Sequence, residues 1–194
     1  MCGRYYVDDD TAREIEKMVR NIDKKIVKSF RGDICPSEQA FVLSQKNEEL
    51  TAEMMYWGFP GFEKHQVLIN ARAEGILEKK TFRNIIRNQR CVIPAKGFYE
   101  WNAQKEKFKF ERSQENIPLY MAGTFQQFYN EKRFVIITTQ ANASVSSIHQ
   151  RMPLILDKKE VEDWIFDWQA AEFLLHKIPA MLQRYTDYEQ MRLF

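Results

Sequence analysis

Between residues 90 and 139 the chain carries four strand signals in close succession, and this cluster constrains the fold more than any other feature. Segments 90–95, 106–112, 117–124 and 132–139 all read as strands. The clearest is Lys107-Phe108-Lys109-Phe110, whose alternation is that of a strand with one buried face. Residues 113–116 read as the turn behind it. Segments 38–44 and 50–57 read as two earlier strands. The second ends at Trp57-Gly58-Phe59-Pro60, where glycine and proline break it into a loop. Thr11-Ala12-Arg13-Glu14 has the form of a capping box, and Ile15, Met18, Val19 and Ile22 follow at helical spacing. Asp157-Lys158-Lys159-Glu160 resembles a second capped start, with Val161, Trp164, Ile165 and Trp168 on one helical face. Residues 75–89 read as helical or irregular, and the stretch is basic through Lys79, Lys80, Arg83, Arg87 and Arg90. The order has no βαβ rhythm and no glycine-rich phosphate loop. It predicts an α+β fold: a mostly antiparallel sheet, curled like a barrel, with flanking helices.

The chain has 194 residues, enough for one good core and short for two. It contains no repeat or flexible linker, so residues 1–194 read as a single domain. A net charge of +2 says little about nucleic acid, so any anion site must come from local clustering. The polar start, with Asp8-Asp9-Asp10, has no apolar signal region, and no apolar run approaches membrane-spanning length. These features predict a cytoplasmic protein without a membrane partner. Cys2, Cys35 and Cys91 are odd in number and widely spaced, which is neither a disulfide framework nor a metal-ligand pattern. His65, His149 and His176 have no close cysteine neighbours. No metal and no cofactor are expected, and Cys35 and Cys91 read as buried, inert thiols.

Cys2 is different, because it stands directly behind Met1 in Met1-Cys2-Gly3-Arg4. Once Met1 is removed, residue 2 carries an α-amine and a thiol on adjacent carbons. Such a 1,2-aminothiol attacks an aldehyde through nitrogen, and the thiol then closes a five-membered thiazolidine. An α-amine titrates at about 7.7–8.0, so roughly a tenth is neutral at pH 7, whereas a lysine at about 10.4 is almost wholly charged. By itself, a cysteine at position 2 is more often only a small residue near a terminus.

Four further segments carry chemistry: Ile69-Asn70-Ala71-Arg72-Ala73-Glu74, Cys91 to Trp101, Thr138-Thr139-Gln140-Ala141-Asn142 and Ile148-His149-Gln150-Arg151-Met152-Pro153. With Met-Cys-Gly-Arg, Trp-Gly-Phe-Pro, Asn-Ala-Arg-Ala-Glu, Ile-Pro-Ala-x-Gly-Phe-Tyr-Glu-Trp and His-x-Arg-Met-Pro in this order, the chain resembles the SRAP family over nearly its whole length. Members of that family process abasic sites and crosslink to single-stranded DNA. The resemblance implies that Cys2 is the nucleophile toward the ring-opened sugar aldehyde and that Asn70 positions the amine. It implies Glu100 as the general acid/base and His149 as the proton handler at the sugar. It further implies Arg4, Arg72 and Arg151 in the DNA cleft, and Trp57 and Pro36 packed against nucleotides at the gap. Gly58 and Thr139 join this DNA-binding set. Peptidase activity toward Met1 and abasic-site lyase activity are also implied, as is a monomer.

The chain departs from the family at Gln150, where an aspartate is frequent, and at Gly32–Ser37, where Pro36 lacks the usual asparagine-containing setting. Taken one by one, the residues have plainer readings. A lone Glu100 or His149 is more often structural, Arg72 and Glu74 form a surface ion pair, and the basic run is a solvated helix face. Two alternatives stand beside abasic-site capture. One is an N-terminal-nucleophile cysteine peptidase. The other is a non-catalytic single-stranded nucleic-acid binding module, whose arginines would make binding salt-sensitive.

Overall fold

The strand cluster folds as its alternation requires: Phe108 and Phe110 are buried and Lys107 and Lys109 face outward. The computed structural model describes residues 2–19, 31–61, 63, 66–114 and 117–186. The strands, in chain order, are β1 (Tyr5–Val7), β2 (Gly32–Ile34), β3 (Gln39–Lys46), β4 (Glu49–Trp57), β5 (Phe59–Pro60), β6 (Val67–Leu68) and β7 (Asn70–Arg72). They continue with β8 (Arg90–Ala95), β9 (Gly97–Trp101), β10 (Lys107–Glu111), β11 (Leu119–Phe128), β12 (Glu131–Gln140), β13 (Arg151–Pro153), β14 (Ile155–Leu156) and β15 (Gln183–Tyr185). Helices α1 (Asp9–Met18), α2 (Ile85–Asn88), α3 (Glu160–Phe166) and α4 (Trp168–Leu174) flank them.

Five strands close on themselves in the order β12-β4-β3-β8-β11 and back to β12. Neighbours are antiparallel except β4 and β12, which close the barrel in parallel through Arg133↔Tyr56 and Phe134↔Trp57. Closure leaves the wall without free edges. Because successive residues point to opposite faces, the wall serves two clusters. Cys91, Ile93 and Ala95 of β8 pack with Val42, Met55, Trp57, Phe134 and Ile136. Val92, between them, packs with Leu43, Val135, Ile137 and the helical residues Ile15, Trp164 and Ile165.

A second, open sheet runs β15-β10-β9-β1-β2, antiparallel throughout. Its inner residues Tyr5, Phe98 and Phe110 join the cluster that holds Cys2 and Trp57. The α+β, mostly antiparallel, barrel-like architecture with flanking helices is therefore present.

Local details differ from the sequence expectations. The first helix is capped by Asp8, whose carboxylate accepts the Thr11 amide at 2.8 Å; Thr11 is inside the helix. An aspartate three residues earlier satisfies the same orphan N–H groups. Glu160 does take the Asp157 amide at 2.7 Å, but Asp167 ends that helix and caps the next, so Trp168 starts α4 instead of extending α3. Trp57-Gly58-Phe59-Pro60 is a kink and not a loop. Gly58 adopts φ +108°, and Phe59–Pro60 then pairs with Val67–Leu68. Arg90 is no solvated or DNA-facing cation: it is buried and donates to the carbonyls of Ile86, Arg87, Trp164 and Ile165. Cys91 is buried, whereas Cys35 is only half-buried. Met1, Ile22, His65 and residues 115–116 of the predicted turn lie outside the described residues.

Candidate active site

The β1/β9 ladder brings the N-terminus to Glu100. Tyr5 pairs with Phe98, and the Tyr99 amide donates to the Arg4 carbonyl at 2.9 Å. One further step sets Gly3 opposite Glu100. Cys2 is fully buried here, its Sγ 3.9 Å from the Arg4 carbonyl. Asn70 arrives from the other sheet as the first residue of β7, held parallel to β12 through Ile136. Its Nδ2 donates to the Cys2 carbonyl at 3.0 Å. Its Oδ1 is buried and has no hydrogen-bond partner among the described residues, so it is an acceptor suited to an amine donor.

Glu100 is 2% exposed. Burial pushes its carboxyl above the usual carboxylate range, while neighbouring positive charge, that of His149 included, pulls the other way. Burial also pushes the Cys2 thiol far above the ordinary thiol range, and the charge of Glu100 adds to the effect. An ionised Glu100 thus favours the protonated thiol. His149 ends the turn after β12, where its amide donates to the Val145 carbonyl at 3.0 Å. Its Nδ1 accepts the Arg151 amide at 3.0 Å. The Arg151 carbonyl lies 3.2 Å from the same nitrogen, so the Arg151 backbone holds the ring in place whichever nitrogen carries the proton.

The predicted site residues divide into two groups. Asn70 is hydrogen-bonded to Cys2, and Glu100 interacts electrostatically with both Cys2 and His149, so these four converge. Arg4 is half-buried, 3.6 Å from Asp33 and over the Trp101 ring at 5.8 Å. Arg72 is exposed at the end of β7. Thr139 is half-buried on β12, and Pro36 is half-buried in the turn after β2. Arg151 forks onto Glu74 at 2.6 and 2.8 Å and donates to the Thr138 carbonyl at 2.6 Å. Glu74 therefore pairs with Arg151 and not with Arg72. An open hollow of about 470 Å³ beside Arg151 is lined by Gln140, Ala141, Ser146 and Gln150.

Trp57 and Gly58 do not belong at a nucleotide surface. Trp57 is fully buried between Tyr5 and Phe134, and its Nε1 donates to the Ile69 carbonyl at 3.0 Å. Gly58 is buried, and a Cβ there would collide with Val67 Cγ1. Both shape the barrel wall. Glu74 and Thr138 stand in segments that the sequence marks, but their link to Arg151 spans 77 and 13 residues and is not legible there.

An α+β barrel that buries the second residue of its chain beside an amide and a carboxyl, with an imidazole acting on that carboxyl, defines a narrow class. The chain belongs to the SRAP family: the model described as "SOS response associated peptidase (SRAP)" matches residues 1–192. The abasic site processing protein YedK of Escherichia coli (strain K12) is 27% identical over 176 residues, covering 85% of this chain and 79% of that one. The abasic site processing protein YoqW of Bacillus subtilis (strain 168) is 28% identical over 181 residues, covering 85% and 80%. A solved protein from Bacteroides thetaiotaomicron superposes with a TM-score of 0.78 at 22% identity, over 95% of this chain and 91% of that one; it establishes the fold alone. No helix among the described residues is long and apolar enough to cross a membrane.

Proposed function

We propose that this chain processes abasic sites in single-stranded DNA by covalent capture through Cys2 after Met1 is removed. The observation that carries the reading is that Asn70 bonds to Cys2 and Glu100 faces it, with His149 acting on Glu100. The names of YedK and YoqW support the lesion class.

The chemistry follows from the protonation states. His149 takes the proton of the C1′ hydroxyl and returns one to the ring oxygen as the C1′–O4′ bond breaks, so the sugar opens to the aldehyde and the imidazole ends unchanged. The Cys2 amine attacks C1′, forming a C–N bond and a carbinolamine. Glu100, whose protonated form burial favours, gives its proton to the hydroxyl of the carbinolamine, and water leaves to give a protonated imine. Glu100, now a carboxylate, takes the Cys2 thiol proton as sulfur bonds to C1′, and the C=N electron pair returns to nitrogen, which keeps its one proton. The product is a thiazolidine, which leaves no aldehyde for β-elimination. Asn70 fixes the Cys2 carbonyl and so the amine on the same residue. Arg4, Arg72 and Arg151 serve the flanking phosphates, with Pro36 and Thr139 beside the strand. The reading needs no cofactor or metal, a monomer suffices, and it implies an intracellular, DNA-associated protein.

A peptidase acting on other proteins is the weaker reading. The names of YedK and YoqW point to abasic sites and not to a protein substrate. Self-removal of Met1 is compatible with capture. The test is a denaturing gel of Met1-free protein with an oligonucleotide carrying one abasic site, without reductant. A shifted band that is absent with intact bases and lost in Cys2→Ala is expected. A band that persists in Cys2→Ala, or none from a verified free terminus, would sink the proposal.

A further inference from the structure

β9 turns Phe98 and Glu100 inward, so its other residues, Tyr99 and Trp101, face the opposite side of the open sheet. There they join a continuous row of rings. Trp101 and Tyr99 have centroids 6.5 Å apart, and Tyr99 and Tyr6 are 5.4 Å apart. Cations interleave with them. Arg4 lies over Trp101 at 5.8 Å and Lys107 over Tyr99 at 4.0 Å. Lys109 sits between Tyr6 at 5.5 Å and the exposed Tyr185 at 5.0 Å.

Asp33 and Glu111 on this face hold the rings in place, and Asp8, which pairs with Lys96 at 3.9 Å, also acts on Tyr6. Asp33 accepts the Tyr99 hydroxyl at 3.1 Å and pairs with Arg4. Glu111 accepts the Tyr6 hydroxyl and pairs with Lys109 at 2.7 Å. Each is offset by a cation, while Lys107 has no ion-pair partner among the described residues. The rings are thus pre-oriented, which lowers the ordering cost of binding.

We propose that this row is a second binding surface, occupied by the nucleotides of the single strand that flank the captured lesion. The assignment rests on the function proposed above. Three features favour DNA as the occupant. Flat rings alternating with cations suit stacked bases and a phosphate backbone regardless of sequence. The row begins at Arg4 and Trp101, each adjacent in sequence to the site at Gly3 and Glu100. It then leads away across β9 and β10 to β15, about 10 Å farther on at ordinary strand spacing.

The surface is tested apart from the crosslink. Lys107→Gln/Lys109→Gln and Tyr185→Ala leave the residues around Cys2 untouched. With an undamaged single-stranded oligonucleotide, the double variant should lower the slope of log affinity against log salt by about 1.4, or roughly 0.7 per lost cation. Tyr185→Ala should weaken binding roughly tenfold. Crosslinking to an oligonucleotide with only one nucleotide on each side of the lesion should be unchanged, and the advantage of long flanks should disappear. An unchanged slope and unchanged affinity for undamaged DNA would overturn the proposal, as would binding only to anionic vesicles or acidic peptides. Failure of every oligonucleotide to crosslink would instead count against the function proposed for Cys2. The undamaged-DNA arm would still decide the fate of this surface.

Discussion

The closed barrel and the open sheet use aromatic residues in opposite ways. The barrel wall serves a cluster around Trp57 and a cluster under the helices, and its rings Trp57, Phe134 and Tyr120 are core. The open sheet buries only one face. Phe98 and Phe110 stack inside it at 5.2 Å, while Tyr6, Tyr99 and Trp101 line the outside. Cys2, Asn70, Glu100 and His149 meet where the two sheets come together. The barrel supplies Asn70 and His149 through β7 and the turn before β13, and the open sheet supplies Cys2 and Glu100. Rigidity thus comes from one region, and access for reactive groups from the seam between the two.

The largest expected effect tests this division on stability. Trp57→Ala should cost about 3–5 kcal/mol in urea denaturation, whereas Trp101→Ala should cost about 1 kcal/mol. Equal costs would erase the distinction. Next, Glu100→Gln should slow crosslinking at least about a hundredfold without lowering stability. The carboxyl of Glu100 is held above its ordinary range, so the native state keeps a proton that the unfolded chain gives up. Native stability from this group is therefore fully present below the ordinary value of 4.5 and is lost as pH rises toward the raised value. That pH-dependent loss should vanish in Glu100→Gln, and its persistence would show that Glu100 is not the penalised group. Gly58→Ala should destabilise by about 1–3 kcal/mol, from the positive φ and the collision with Val67. A neutral result would mean that the kink after β4 is not rigid. The smallest effect belongs to Glu74→Gln, below about 1 kcal/mol because the Glu74 side chain is 53% exposed. The Arg151 fork depresses the Glu74 carboxyl, so its small contribution should fade as pH falls, a trend absent in the variant.

How much of this was legible in the sequence follows the range of the interaction. The alternation at 107–110 depends on neighbours two apart, and it was readable. So was the helical face of Val161, Trp164 and Ile165, although not its end at Asp167, because an aspartate within a periodic run caps as readily as it continues. The aminothiol at Cys2 was readable from its place behind Met1, whereas Asn70, Glu100 and His149 were picked out only by the family motifs that carry them. Orientation was not readable. The Trp-Gly-Phe-Pro motif is intact, but nothing local says that barrel closure turns Trp57 inward. In the same way, Arg90 sits in a basic run yet is claimed by carbonyls of α2 and α3. The face formed by Tyr6, Tyr99 and Lys107 appears only once β1, β9 and β10 are side by side.

The central claim is that both nitrogen and sulfur of Cys2 end up bonded to the sugar carbon. The most direct measurement is mass spectrometry of the digested crosslink, formed by Met1-free protein and treated with iodoacetamide and borohydride. The adduct should lie on the peptide beginning at Cys2, with the sulfur unalkylated and no hydrogen added by borohydride. An adduct on a lysine, or a Cys2 adduct with an alkylated thiol, would contradict it.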